Sequence, residues 1–284
     1  MRLIKKNYKA VYGPVADLIT YRALPTRNIE YIDPFLFLNH HGPQVYSKNN
    51  SGLPFGPHPH RGIETVTFII NGDIVHKDNS GNESVIYSGG IQWMRAGKGL
   101  IHSEVSSREF LDKGGPLEIL QLWVNLPAKL KMSEPFYKGL QKEEIPKVIL
   151  DEESVVIDVI SGGWMNKKGA FQSEIGLQLF LIKFSAKGKL TFNIPKDNNI
   201  LFYVIRGKLN VNNNIVEALH LAEFSNNSEE IEIEAESESI LMLGYAKPLN
   251  EPIVAHGPFV MNSEEEIKEA YDEYRNGKFG TWNE

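Results

Sequence analysis

The sequence predicts a mainly β protein built from two consecutive β modules and closed by one helix. Three observations lead there. Short runs rich in Val, Ile, Phe, Tyr and Thr recur along the 284 residues, separated by Gly, Asn, Pro and Ser clusters, and such punctuated runs are the mark of strands. The chain is long enough for two domains, and a Pro- and Lys-rich stretch interrupts the runs near its middle. The run Phe202-Tyr203-Val204-Ile205-Arg206-Gly207-Lys208 echoes Thr67-Phe68-Ile69-Ile70-Asn71-Gly72-Asp73. Each is an apolar strand, one polar residue and a turn glycine, as a repeated module requires.

Taken in order, the first module is expected to place strands at 17–22, 34–39, 64–70, 74–77, 91–95 and 117–125. The clusters Asn71-Gly72, Asn79 to Asn82 and Gly89-Gly90 reverse the chain between them. Residues 131–150, with Pro135 and Pro146, read as a linker, so the first domain is 1–130. A second series follows at 154–160, 177–184, 200–205, 208–211, 216–220, 230–234 and 239–245, giving a domain over 151–250. In the run 230–238 acidic residues alternate with Ile231, Ile233 and Ala235, which makes a strand with one solvated face. The closing segment, 251–284, carries a helix signal. Ser263 and Glu266 form a capping box, Ile267, Ala270, Tyr271 and Tyr274 fall on one face, and Gly277 suits a stop.

Composition narrows the chemistry. The chain has no cysteine, which excludes disulfides, thiolate metal sites and a Cys nucleophile. No uncharged apolar run approaches membrane-spanning length, and residues 1–13 carry no signal-peptide core, so a soluble cytoplasmic protein is expected. The formal net charge of -6 argues against direct nucleic-acid binding, which draws on Lys and Arg.

The chemical signal lies in Pro57-His58-Pro59-His60-Arg61-Gly62-Ile63-Glu64 and in Gly99-Leu100-Ile101-His102-Ser103-Glu104. Side chains on a strand alternate faces, so His58 and His60 share one side, as do His102 and Glu104. If the two segments meet inside a small barrel, three imidazoles and a carboxylate converge. That donor set suits one mononuclear divalent ion, Fe, Mn, Ni, Cu or Zn, and four protein ligands leave two octahedral positions for dioxygen or a substrate. Glu64 is a rival carboxylate. His76 lies on a polar strand segment and His220 and His256 have no partner at ligand spacing, so structural roles are expected for all three. His41 is a pocket candidate, and Trp93 and Phe68 are aromatic candidates for a core or a pocket wall.

The stretch from His58 to Val66 closely resembles the signature of the pirin family, and Gln92 to Glu104 resembles its second motif. Asp33-Pro34-Phe35 near the start and His256 to Asn262 near the end extend the likeness, while the second module matches only loosely. The resemblance implies a bicupin, two antiparallel β-barrel modules of jelly-roll type, with iron held in the first by His58, His60, His102 and Glu104 and none in the second. It assigns Glu104 over Glu64 as the carboxylate ligand. It implies an enzyme of quercetin 2,3-dioxygenase type, with a flavonol and O2 as partners, ring opening with release of CO, and Glu104 as catalytic base. The alternative it implies is an iron-dependent regulatory protein that acts through a protein partner without turnover.

Overall fold

The computed structural model describes residues 1–282, so the last two residues of the segment 251–284 lie outside the described residues. The chain forms two compact units, each discontinuous in sequence. One comprises Tyr12–Tyr21, Phe35–Lys142 and the chain from Leu249 on, and the other Met1–Val11, Arg22–Pro34 and Glu143–Pro248. The stretch 131–150 is thus shared out, its first part lying in one unit and its last part in the other.

Both units are jelly-roll-like cupin folds, each made of a large and a small antiparallel sheet and not of a closed barrel. In the first unit the small sheet runs Phe55–His60, Leu100–Val105, Asp73–Asp78, Glu83–Tyr87. In the large sheet the strands run in the order Phe136–Leu140, Ile91–Arg95, Ile63–Asn71, Gly115–Asn125, Phe35–Tyr46. The second unit repeats the plan. Its small sheet is Lys189–Asn193, Glu230–Ala235, Lys208–Val211, Asn214–Glu217, and its large sheet centres on Asn199–Arg206 beside Ser239–Ala246. The echo seen in the sequence falls on equivalent strands, with Gly72 and Gly207 at φ +86° and +82° turning the chain from the large sheet into the small one. Only glycine adopts such angles without strain.

Strand pairing explains why the units are discontinuous. Ile4–Lys9 pairs antiparallel with His220–Phe224 and forms an edge of the second unit's large sheet. Arg2, fully buried, anchors it by donating to the carbonyls of Ile194, Pro195, Asn198 and Ser225. At the other end of the chain, the helix Glu264–Arg275 buries Ile267 and Ala270 against Ile101, Phe259, Met261 and Phe279 of the first unit. Its capping box forms as expected, with Ser263 Oγ accepting from the Glu266 N–H. One expected strand is split: Leu219 turns at φ +62°, so 216–220 becomes the end of Asn214–Glu217 and the start of His220–Phe224.

The two interiors differ. The second unit is filled with apolar side chains, and the strands equivalent to the motif strands contribute Leu190, Ile231 and Ile233 to that core. In the first unit an apolar cluster of Ile69, Ile74, Ile86, Phe110, Leu117 and Ile119 packs between the sheets at one end. Two residues farther along the central strands Thr67 stands opposite Gln121, with Gln92 on its other side, and this row lines a polar chamber. A fully buried Leu, Ile or Phe stabilises a fold by roughly 1.5–3 kcal/mol. The chamber end forgoes that gain and is held instead by hydrogen bonds and by ties from the C-terminal segment.

Candidate metal centre

The chamber is built on two neighbouring strands of the small sheet. Phe55–His60 and Leu100–Val105 pair antiparallel, with His102 opposite His58 and Leu100 opposite His60. Alternation turns His58, His60 and His102 to one side, and their ring centroids lie 4.4 to 5.1 Å apart. One ligand atom of each lies within 4.8 Å of the others, and no other such His, Cys, Asp or Glu group occurs among the described residues.

The second nitrogen of two rings is already engaged. His58 Nδ1 bonds to the Gly56 carbonyl at 2.7 Å and His60 Nδ1 to the Pro258 carbonyl at 3.2 Å. A carbonyl only accepts, so both Nδ1 atoms carry hydrogen, and in the neutral ring each Nε2 keeps its lone pair for a metal. His60 Nε2 and both nitrogens of His102 are buried without a hydrogen-bond partner. Buried polar atoms are rarely left so, and three in one chamber mark a place where a cation belongs. Burial, followed by repulsion between the His58 and His60 rings, lowers the His60 pKa to about 3. Burial followed by repulsion from His60, His58 and His76 holds His102 well below its usual value. Both rings are therefore neutral at physiological pH, the form that binds a metal. The donors fit a mononuclear divalent ion.

Glu104 follows His102 on the same strand face, but its carboxylate is not one of the mutually close ligand atoms. Gln121 Nε2 donates to Glu104 Oε2 at 2.6 Å. Gln92 Nε2 and Thr67 Oγ1 both donate to Oε1, the latter at 3.2 Å. Glu64 lies elsewhere: it is the neighbour of Thr65 on the opposite strand face and accepts from Arg95 Nε at 3.0 Å.

Of the pocket candidates, His41 faces the interior, where it bonds to Thr20 Oγ1 at 2.8 Å and its ring lies 5.2 Å from Phe55. Of the two roles open to Phe68 and Trp93, core or pocket wall, they take the core. Their chain neighbours Thr67 and Gln92 reach Glu104, so strand alternation sends Phe68 and Trp93 to the other face of the sheet, where both are buried. The aromatic wall is instead Trp123, edge-on to His60 at 5.0 Å, with Phe37 stacked on it at 4.5 Å. Both are half-buried, so the wall is open to a ligand.

His76, for which the sequence suggested a structural role, lies beside the cluster. It is fully buried, with its ring 5.4 Å from that of His102, stacked 3.8 Å from Tyr137, and Nε2 bonded to Asp78 Oδ2 at 3.1 Å. Burial opposes the charge on Asp78, but hydrogen bonds from His76, Ser80 and Asn82 outweigh it and hold the carboxyl below its usual range. The pattern His76-x-Asp78 was a readable signal, because the i, i+2 spacing that pairs the metal-motif residues also pairs these two.

The motif strand is braced from the C-terminal segment. Arg61 donates to the Lys98 carbonyl at 2.7 Å and to Glu273 Oε2 at 2.6 Å, and its guanidinium lies 4.5 Å from the Phe279 ring. Lys131, also buried, donates to the carbonyls of Gly62 and Val260, at 3.0 Å each, and to Asn125 Oδ1 at 2.7 Å. Burial lowers its pKa to about 8.

Comparison with known proteins agrees with this architecture. The Pirin family model matches residues 17–124 and the Pirin C-terminal cupin domain matches 179–280. A pirin-like protein from Caulobacter vibrioides is 36% identical over 260 residues, covering 91% of each chain. A crystal structure of quercetin 2,3-dioxygenase from Acinetobacter baumannii superimposes with a TM-score of 0.92 at 35% identity, covering 99% of both chains. The nickel(II) complex of the bacterial pirin YhhW from Escherichia coli, 20% identical over 86% of this chain and 100% of that one, shares the fold with a TM-score of 0.67. Two cupin units in the expected order, matched by both family models and by relatives along nearly the whole chain, establish that this protein is a member of the pirin family.

Proposed function

We propose that this protein is a pirin-type dioxygenase that opens a flavonol such as quercetin with O2 and releases CO. The observation that carries the reading is the cluster of three imidazoles, with unpartnered buried nitrogens on His60 and His102, together with a hydrogen-bonded carboxylate on the same strand face as His102 and a half-buried aromatic pair beside His60. His58, His60 and His102 would hold one divalent ion through nitrogen, with Glu104 as the oxygen donor, and we assign iron. When bound, that ion supplies Lewis acidity toward the substrate oxygens and a path for electrons between the substrate and O2.

The chain's own residues supply the rest. Trp123, backed by Phe37, offers a flat apolar surface on which a flavonol can stack beside His60. A flavonol lying there directs its 3-hydroxyl into the chamber, where a Glu104 oxygen accepts the proton. Gln121, Gln92 and Thr67 hold that carboxylate in place through the transfer. Flavonol and protein together displace water from the chamber, which protects the electron-rich flavonolate from hydrolytic side reactions. The dioxygenase named in the Acinetobacter structure supports the reaction class.

The test is to load the protein with iron, confirm one metal per chain by elemental analysis, and add quercetin first without and then with air. Loss of flavonol absorbance on admitting air, matched by CO, is the expected result. A metal-replete protein that leaves quercetin intact refutes the dioxygenase reading and turns attention to a regulatory role.

A further inference from the structure

Gln121 occupies an unusual position between the aromatic wall and the carboxylate. Its Nε2 donates to Glu104 Oε2 at 2.6 Å, and its Oε1 accepts from Trp123 Nε1 at 3.2 Å. An indole N–H can only donate, so the amide atom facing Trp123 must be the oxygen. The NH2 end then has to face Glu104, and the amide cannot turn over without losing both bonds. Gln92 closes the other side, donating to Glu104 Oε1 while its own Oε1 accepts from the Tyr137 hydroxyl at 3.2 Å. Each carboxylate oxygen thus meets a donor whose direction is fixed by a residue one step farther out.

Building on the metal-centre reading above, we propose that Gln121 is a positioning residue for that centre. Locked by Trp123, it sets the direction in which Glu104 presents its remaining lone pairs to the three-imidazole cluster. The same indole stands 5.0 Å from the His60 ring. A flat ligand that moves Trp123 therefore acts on a nitrogen donor and on the oxygen donor together.

The test uses Gln121→Met, which keeps the length and removes the donor and acceptor, together with Trp123→Phe, which keeps an aromatic ring and removes the N–H along with part of the indole's area. Chelator-treated protein is titrated with cobalt(II) while the visible cobalt bands are recorded, and the metal-free proteins are melted in parallel. Gln121→Met is expected to bind cobalt about 10–100-fold more weakly, the usual cost of losing a partner that orients a ligand. Its cobalt bands should shift while the metal-free protein still melts in one cooperative transition. Trp123→Phe should shift the bands in the same direction with a smaller loss of affinity. A merely structural role would leave the spectrum unchanged, so wild-type affinity and bands in Gln121→Met overturn the inference. Should that variant fail to fold, an unchanged spectrum in Trp123→Phe does so instead. A wild-type chain that takes up no cobalt overturns the metal-centre reading itself, and the inference falls with it.

Discussion

Acidifying the metal-free protein should expose the cost of its buried imidazoles. In the fold, burial brings His60 from 6.5 to about 3. Above pH 6.5 neither the folded nor the unfolded state holds the extra proton, so the residue leaves stability flat there. Below it the unfolded chain takes up a proton that the fold refuses, and stability falls as the pH drops from 6.5 toward about 3. At pH 4.5, two units into that window, His60 alone removes about 3 kcal/mol, at about 1.4 kcal/mol per unit. His102, depressed by the same burial, adds to the loss. The assay is urea unfolding of chelator-treated protein at pH 7.5 and pH 4.5, for wild type and for His60→Gln. The variant has no proton to refuse, so its stability should fall by about 3 kcal/mol less over that interval. An equal fall in both proteins would show that His60 is not held neutral by its surroundings.

Other outcomes follow from the same geometry. Gly62 sits at φ +79°, and a Cβ there would lie 2.0 Å from the Val260 carbonyl oxygen, so Gly62→Ala should cost at least about 2 kcal/mol in unfolding free energy and weaken metal retention. Ser263→Ala removes the helix cap and should cost about 1 kcal/mol, visible as a lower melting temperature with metal content unchanged. His60→Ala should abolish metal retention by elemental analysis, and a metal-replete variant would remove His60 from the ligand set. Glu104→Gln should abolish flavonol turnover with most of the metal kept. If Glu64→Gln alone loses the metal, the oxygen donor has been assigned to the wrong carboxylate.

Much of this was legible in the residues alone. The i, i+2 spacing is enough to predict that His58 and His60 share one strand face and that His102 and Glu104 share another, because strand alternation is local backbone geometry. The pairing of Phe55–His60 with Leu100–Val105 that brings the two together is, by contrast, long-range. The Ser263–Glu266 cap and the turn glycines are local, like the alternation. What the sequence could not decide was which face of each strand looked inward. Phe68 and Trp93 were plausible pocket residues, but the registry of the large sheet turns their neighbours Thr67 and Gln92 to Glu104 instead. Burial is no guide here, since both faces of those strands are buried. Nor could it show that Ile4–Lys9 completes the second unit while the C-terminal helix braces the first. Those placements depend on pairings between residues some two hundred positions apart. Sequence patterning determines which side chains share a strand face, whereas long-range pairing and burial decide what that face meets.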